Sequence, residues 1–301
     1  MSVDHFGISN AAGTVKTAQD LRRLLRAPVT HAVVGSITVK HRIGNPQPNF
    51  WHSPDGTFAL NSLGLPNPGL EYYVEMLPAM REQAHQSQRF LYVSICGLEP
   101  GDWALLTEKC LEAEVDGIEV NLACPNVWIG GERKKITAFD PAAVRVVMDE
   151  VFTAFGGSSI GTTNLAIKLS PYCMLPEDER VGLIADMSRL IAEMEIDEVV
   201  LANTQPDFTT PMENEKPVIS MPTCGRSGPV LLKESVKQVA AFYDLLPNTI
   251  SITGVGGISE GKDVHEYLAA GASGVQIGTA YYMYGEPAIS RIVQEYASLA
   301  D

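Results

Sequence analysis

The chain is poor in the features that mark several large protein classes. No apolar run approaches the roughly 18 residues of a membrane-spanning helix, and no charged-then-apolar leader opens it. Basic residues are few: 22 Lys and Arg stand against 36 Asp and Glu, a formal charge of −14. That balance speaks against a protein that tracks a nucleic-acid backbone and suits a solvated acidic surface. The five cysteines, Cys96, Cys110, Cys124, Cys173 and Cys224, are odd in number and show no paired spacing, so no disulfide framework is expected. No G-x-G-x-x-G opens the first helical stretch, which weakens a dinucleotide-binding reading. No linker or low-complexity segment divides the chain. The expectation is one cytoplasmic domain over residues 1–301, without membrane, nucleic-acid or metal partners.

What is present is alternation. Apolar residues make up 45% of the chain, enough for a large core. Eight short apolar or β-branched runs read as strands: His5–Ser9, His31–Ile37, Phe90–Ile95, Gly117–Leu122, Asn164–Leu169, Glu198–Ala202, Thr249–Thr253 and Gly274–Ile277. Helical patterns lie between them at Thr17–Arg26, Gly101–Glu114, Pro141–Phe155, Glu177–Met194, Leu231–Leu246, Gly261–Ala270 and Pro287–Ala297. Asp140 before Pro141 reads as an N-cap, and Gly271 after Ala270 as a helix stop. Eight strands alternating with helices in 301 residues predict an α/β fold, a (β/α)₈ TIM barrel. Three long connections, His41–Met80, Pro125–Asp140 and Thr204–Val230, read as functional βα-loop insertions.

Barrels of this kind do their chemistry where strands end. Gly256-Gly257 and Gly278-Thr279 follow strands seven and eight, the usual phosphate position, where bare backbone N–H groups face an anion. Asn61, Asn121, Asn126 and Asn203 all fall at loop mouths. Each alone is an ordinary turn residue; together their amides suit a flat ring with alternating N–H and C=O groups. Lys168 ends an otherwise apolar strand, where a lysine needs an anion or a ligand. Cys124 lies between an asparagine pair, with the small buried hydrophobe as its commoner role.

The strings Asn61-Ser-Leu-Gly-Leu-Pro-Asn67, Asn121-Leu-Ala-Cys-Pro-Asn126 and Gly44-Asn-Pro-Gln-Pro48, with the two glycine turns, resemble the dihydroorotate dehydrogenases from about Asn10 to Ala288. The resemblance implies oxidation of dihydroorotate to orotate in pyrimidine biosynthesis, with FMN as cofactor. It is to the cytosolic branch, in which a cysteine at the position of Cys124 takes the C5 proton and C6 delivers a hydride to the flavin. It implies catalytic roles for Cys124 and Lys168. Substrate contacts fall to Lys16, Asn61, Leu63, Gly64, Leu65, Asn121, Asn126, Asn203 and Thr204. Flavin contacts fall to Ala12, Gly13, Ser36, Asn61, Asn121, Lys168, Asn203, Gly228, Gly256, Gly257, Gly278 and Thr279. A homodimer is implied, and the loop Val127–Thr137 resembles a substrate lid. Fumarate, NAD through a partner subunit, or another acceptor would reoxidise the flavin.

The chain also departs from that pattern. Single-subunit cytosolic members carry a lysine where Gly35 precedes Ser36; here Ala12-Gly13 is followed by Lys16, a spacing found in the membrane-associated branch, and Lys16 is expected to supply the missing cation. Cys224 replaces a glycine in the family's flavin loop and is expected to shift the backbone if a positive φ is required there. The alternatives are a flavin enzyme acting on another dihydropyrimidine and a flavin-free, phosphate-binding barrel in which Lys168 forms a Schiff base.

Overall fold

The computed structural model describes residues 6–156, 162–213 and 215–299. Eight parallel strands form one sheet: β1 (Gly7–Asn10), β2 (His31–Ile37), β3 (Phe90–Ile95), β4 (Gly117–Asn121), β5 (Asn164–Leu169), β6 (Glu198–Leu201), β7 (Ser251–Val255) and β8 (Gly274–Ile277). Their order, β1-β8-β7-β6-β5-β4-β3-β2, is that of a barrel opened only between β1 and β2. The seam is closed by a side chain. Asn10 Nδ2 donates to the Val33 carbonyl at 2.8 Å, and Asn10 Oδ1 accepts from Val33 N–H at 2.9 Å, so an amide side chain stands in for a missing ladder pair. The TIM barrel expected from the alternation is the fold observed.

Most elements lie within two residues of their expected bounds; β7 starts two residues later than expected, and His5 lies outside the described residues. Thr17 caps helix α1 (Ala18–Leu24) in a capping box with Asp20, and Asp140 caps α4 (Pro141–Ala154) by accepting from Ala142 and Ala143 N–H. The clearest correction is His41–Met80, which is not one long loop. It runs into helix α2 (Leu70–Gln86), 17 residues whose buried positions Leu70, Tyr73, Leu77, Met80 and Ala84 form a helical stripe. Pro78 obscures that stripe in the sequence; it stands on the exposed face, where the carbonyl it frees is not forced into the core. The remaining helices are α3 (Asp102–Glu112), α5 (Glu177–Ala192), α6 (Leu232–Tyr243), α7 (Gly261–Ala269), α8 (Thr279–Tyr284) and α9 (Glu286–Ser298).

The first and third of the expected insertions, His41–Met80 and Thr204–Val230, build on one another. Phe50–His52, Ala59–Asn61, Cys224–Ser227 and Gln205–Asp207 form a four-stranded antiparallel sheet over the C-terminal mouth of the barrel. Two loops distant in sequence thus make one roof, fixing Asn61 and Thr204 over the barrel.

Residues alternate across each barrel strand. The outward set, such as Leu91, Val93 and Ile95 of β3 and Ile118 and Val120 of β4, packs under the helices in the main core. Each such side chain contributes about 1.5–3 kcal/mol of burial. The inward set holds one small apolar cluster, Ala11, Ala166, Val200 and Val255, among buried polar groups.

Candidate active site

A cavity of about 450 Å³ opens at the C-terminal mouth, between the strand ends and the roof. Every residue singled out from the sequence as a site residue lines it, from Ala12 and Lys16 at the first loop to Gly278 and Thr279 at the last.

The four asparagines are held as two pairs. Asn126 Nδ2 donates to Asn61 Oδ1 and to the Asn61 carbonyl, each at 3.0 Å, and Asn61 Nδ2 donates to the Gly225 carbonyl. Asn203 Nδ2 donates to Asn121 Oδ1 at 3.0 Å, and Asn121 Nδ2 donates to Ser36 Oγ at 2.7 Å, which is bonded to Ser94 Oγ. Amides fixed by one another lose little freedom when a ligand arrives. Asn126 Oδ1 is buried with no partner, an acceptor left for a ligand donor. Asn45, in the Gly-Asn-Pro-Gln-Pro string, donates to the Asn126 carbonyl and so ties two of the sequence motifs together. Leu65 stands at φ 58, an unusual conformation for a leucine, beside Gly64 at φ 75.

Gly35 explains why a lysine is absent from its position. Its φ is +117, and a Cβ there would lie 2.8 Å from Ile37 N and inside the shell of the Ser94 carbonyl oxygen. Gly35 N–H instead donates to the Val15 carbonyl at 2.9 Å, and its own carbonyl accepts from Gly13 N–H, which stitches the loop bearing Lys16 to β2. Tyr73 O–H donates to the Lys16 carbonyl at 2.9 Å, fixing the backbone from the other side. Burial lowers the Lys16 ammonium to about 8, against the opposing pull of Asp20 and the Cys124 thiol.

Cys124 is half-buried at the cavity wall. Burial raises its thiol, while the Asn126 N–H, Arg42, Lys134 and Lys16 all draw it down. Arg42 was not anticipated from the sequence; its Nε donates to the Gly64 carbonyl at 3.0 Å. Lys134 belongs to the expected lid, whose Trp128–Ile129 and Glu132–Arg133 pair as a short hairpin. Its Nζ donates to the Gly97 carbonyl at 2.6 Å. No residue of Val127–Thr137 itself lines the cavity.

The glycine turns leave a bare backbone cradle. A Cβ on Gly257, at φ +81, would stand 2.6 Å from Leu232 Cα, and one on Gly256, at φ +127, would stand 2.5 Å from Ser235 Oγ. Gly228 has φ +90, and Thr279 Oγ1 donates to Ser227 Oγ at 2.9 Å on the same wall. Gly256 and Gly257 pack tightly on the start of α6 and also line the cavity, so their backbone, with the Thr279 hydroxyl beside it, fits a phosphate group. Cys224 stands at a position that needs no positive φ, so the condition for a backbone shift is not met. It sits in extended strand and packs its side chain with Leu60, Val218 and Ile219. Gly225 is the tight position, where a Cβ would meet the Thr204 side chain.

Lys168 is buried, and its Nζ donates to Gln276 Oε1 at 2.7 Å, with Glu119 Oε1 at 3.4 Å. Gln276 Nε2 donates to Glu119 Oε2 at 2.7 Å, closing a three-residue ring from β5, β8 and β4. The sequence signalled the lysine's need for a partner, but not the partners, which come from 49 and 108 positions away. Phe50 and Tyr282, with ring centroids 4.6 Å apart at the mouth, carried no sequence signal.

The dihydroorotate dehydrogenase sequence profile matches residues 6–299. The chain belongs to the dihydroorotate dehydrogenase family. A probable dihydroorotate dehydrogenase A (fumarate) from Streptococcus pneumoniae R6 is 30% identical over 97% of this chain and 88% of its own length. The dihydroorotate dehydrogenase A (fumarate) of Lactococcus lactis subsp. cremoris MG1363 is 32% identical over 97% and 92%. Among solved structures, a dihydroorotate dehydrogenase of Eimeria tenella bound to ferulenol superposes with TM-score 0.79 at 22% identity, covering 97% of this chain and 81% of that one, which bears on the fold. Dihydroorotate dehydrogenases are flavin oxidoreductases that form orotate for pyrimidine synthesis, and Lys168 and the glycine turns line the same cavity. Among the described residues no helix is long and apolar enough to cross a membrane.

Proposed function

We propose that the chain oxidises dihydroorotate to orotate with FMN as its flavin and fumarate as the electron acceptor. The observation that carries this reading is the convergence of a thiol, an ammonium and four paired amides on one cavity walled by bare glycines. Fumarate is favoured because both relatives described above are named for it.

FMN, when bound, supplies the acceptor for the electron pair that leaves C6. The protein's own groups do the rest. The Gly256-Gly257 and Gly278-Thr279 turns hold the phosphate, with Gly228 and Ser36 along the flavin wall. Lys16 pairs with the substrate carboxylate, as the lysine missing at Gly35 would have done. Asn61, Asn121, Asn126 and Asn203 fix the pyrimidine ring through its N–H and C=O groups, with Leu63, Gly64, Leu65 and Thr204 around it. Cys124 takes the C5 proton. The cations near it, Lys16, Arg42 and Lys134, favour the thiolate that the step needs, against the cost of burial. Lys168, held by Gln276 and Glu119, offers positive charge where negative charge develops. The Val127–Thr137 hairpin closes over the substrate and excludes water.

Purified protein mixed with dihydroorotate and fumarate tests the reading: orotate and succinate form in equal amounts. Orotate formed with another acceptor in place of fumarate overturns the acceptor alone, and no orotate with any acceptor overturns the activity.

A further inference from the structure

One layer below the cavity floor, the barrel holds more acid than base. Glu119 on β4 and Glu198 on β6 share a register row, each paired with Ala166 of the strand between them. Both are buried, at 1% and 6% exposure, and the strand position between them carries only the methyl of Ala166. One pair higher, Val200, Lys168 and Asn121 form the next row, whose lysine and asparagine line the cavity. Among the described residues Lys168 is the one cation bonded to either carboxylate, and it is bonded to Glu119. Gln276 occupies the other Glu119 oxygen.

The groups facing Glu198 come from every side. They are Glu119 and Lys168 from β4 and β5, Asp197 from its own segment, the Thr253 hydroxyl from β7, and Tyr92 from β3. Asp116 faces the same tyrosine. His31 on β2 stacks on Tyr92 at 4.5 Å and supplies no charge, because burial lowers its imidazole to about 4. Two buried carboxylates thus share one ammonium. A second bare negative charge in such a place is costly, and a further negative charge nearby tips that carboxylate to its protonated form. Burial, with Glu119 beside it, pushes the Glu198 carboxyl up to about 7, so that proton is exchangeable near neutrality.

We propose that Glu198 is a proton acceptor that compensates negative charge arriving in the cavity, acting through Lys168 and Glu119. The inference rests on the flavin reading above. In that reaction two electrons and one proton pass to the cofactor, the C5 proton passes to Cys124, and one negative charge remains in the cavity that Lys168 lines. The ammonium then balances the carboxylates less, and the Glu198 carboxylate takes one proton from solvent. One O–H bond forms on the carboxylate as one breaks in a solvent hydronium, and the charge inside the barrel is restored. Tyr92 lines a hollow of about 620 Å³ at the N-terminal ends of β3, β4 and β5, which gives this proton a path away from the substrate. Glu198 touches no reacting atom; it is a positioning residue for charge.

The test is the midpoint potential of the flavin-loaded protein against pH, with chemical reduction so that dihydroorotate is not needed. Flavin occupancy is read first from visible absorbance; a chain that takes up no flavin overturns the functional reading and this inference together. The wild type is expected to show one proton more per two electrons than Glu198→Gln around neutral pH, a tenfold change in the reduction equilibrium per pH unit, or about 30 mV. Glu198→Asp retains the extra proton. Thr253→Val keeps the carboxylate but removes a hydroxyl that favours its charged form, so the break moves to higher pH. Equal slopes in wild type and Glu198→Gln, or a break unmoved by Thr253→Val, overturn the inference. A flavin bleached by the reductant but not by dihydroorotate, with the slope difference intact, overturns the substrate reading and leaves this one standing.

Discussion

The amide of Gly35 donates to the carbonyl of Val15 at 2.9 Å, one residue before Lys16. A single glycine therefore excludes a side chain at its own position and anchors the loop that presents a lysine to the same cavity. Lys16→Met is expected to raise the KM for dihydroorotate with flavin binding unchanged. Loss of one charge-assisted contact is worth about 2 kcal/mol, or roughly thirty-fold in kcat/KM. Adding Gly35→Lys to that variant restores nothing and lowers the urea midpoint, because the backbone at residue 35 has no room for a Cβ. Steady-state kinetics and denaturation check both outcomes.

The Lys16 ammonium, lowered to about 8, is charged below that pH and neutral above it. KM for dihydroorotate is therefore expected to rise as pH passes upward through about 8, and in Lys16→Met to lose that rise. The Cys124 thiol is raised by burial, so kcat climbs with pH as the thiolate forms. The two limbs give kcat/KM a bell shape, and a pH profile of both constants separates them.

Cys124→Ser is expected to keep its flavin and its orotate affinity and to lose about 10²–10⁴ in kcat, the usual worth of a positioned proton acceptor. Absorbance and ligand titration verify that the site is otherwise intact.

Asn10→Ala tests the barrel's seam. It removes both bonds to Val33 and leaves a buried N–H and C=O without partners. The expected loss is about 2–4 kcal/mol of stability, read from the urea midpoint.

Glu198 makes stability fall as pH rises. Its carboxyl keeps its proton in the folded chain up to about 7, whereas in the unfolded chain it loses it near its ordinary value of 4.5. Between those values the folded state binds the extra proton, so unfolding becomes easier with each pH unit by roughly 1.4 kcal/mol, and the effect is complete above about 7. Glu198→Gln is expected to flatten that part of the curve, as measured by denaturation across pH.

Much of this was legible in the sequence because local patterns carry it. Parallel strands covered on both faces are predominantly apolar, and Asp140-Pro141 and Gly271 mark helix ends by chemistry that acts over three residues. The glycine turns and the asparagine strings were legible because strand ends converge in a barrel. What was hidden depends on distance. Helix α2 was masked by Pro78, whose cost is offset by an exposed position that sequence does not reveal. The roof needed two loops about 164 residues apart to pair, as Asn61 does with Gly225. Cys224 occupies a position that tolerates a side chain because its strand is extended, and Gly225 next to it does not. Glu119, Glu198 and Gln276 read as ordinary polar residues until β4, β6 and β8 close around one axis.

The central claim is that the cavity oxidises dihydroorotate with Cys124 as proton acceptor, and anaerobic single-turnover mixing tests it most directly. The wild-type flavin absorbance should bleach within one turnover as orotate appears in equal amount. Cys124→Ser, with its flavin in place, should bleach at least a hundredfold more slowly. A wild-type flavin that stays oxidised, or a serine variant that bleaches at the wild-type rate, contradicts the account.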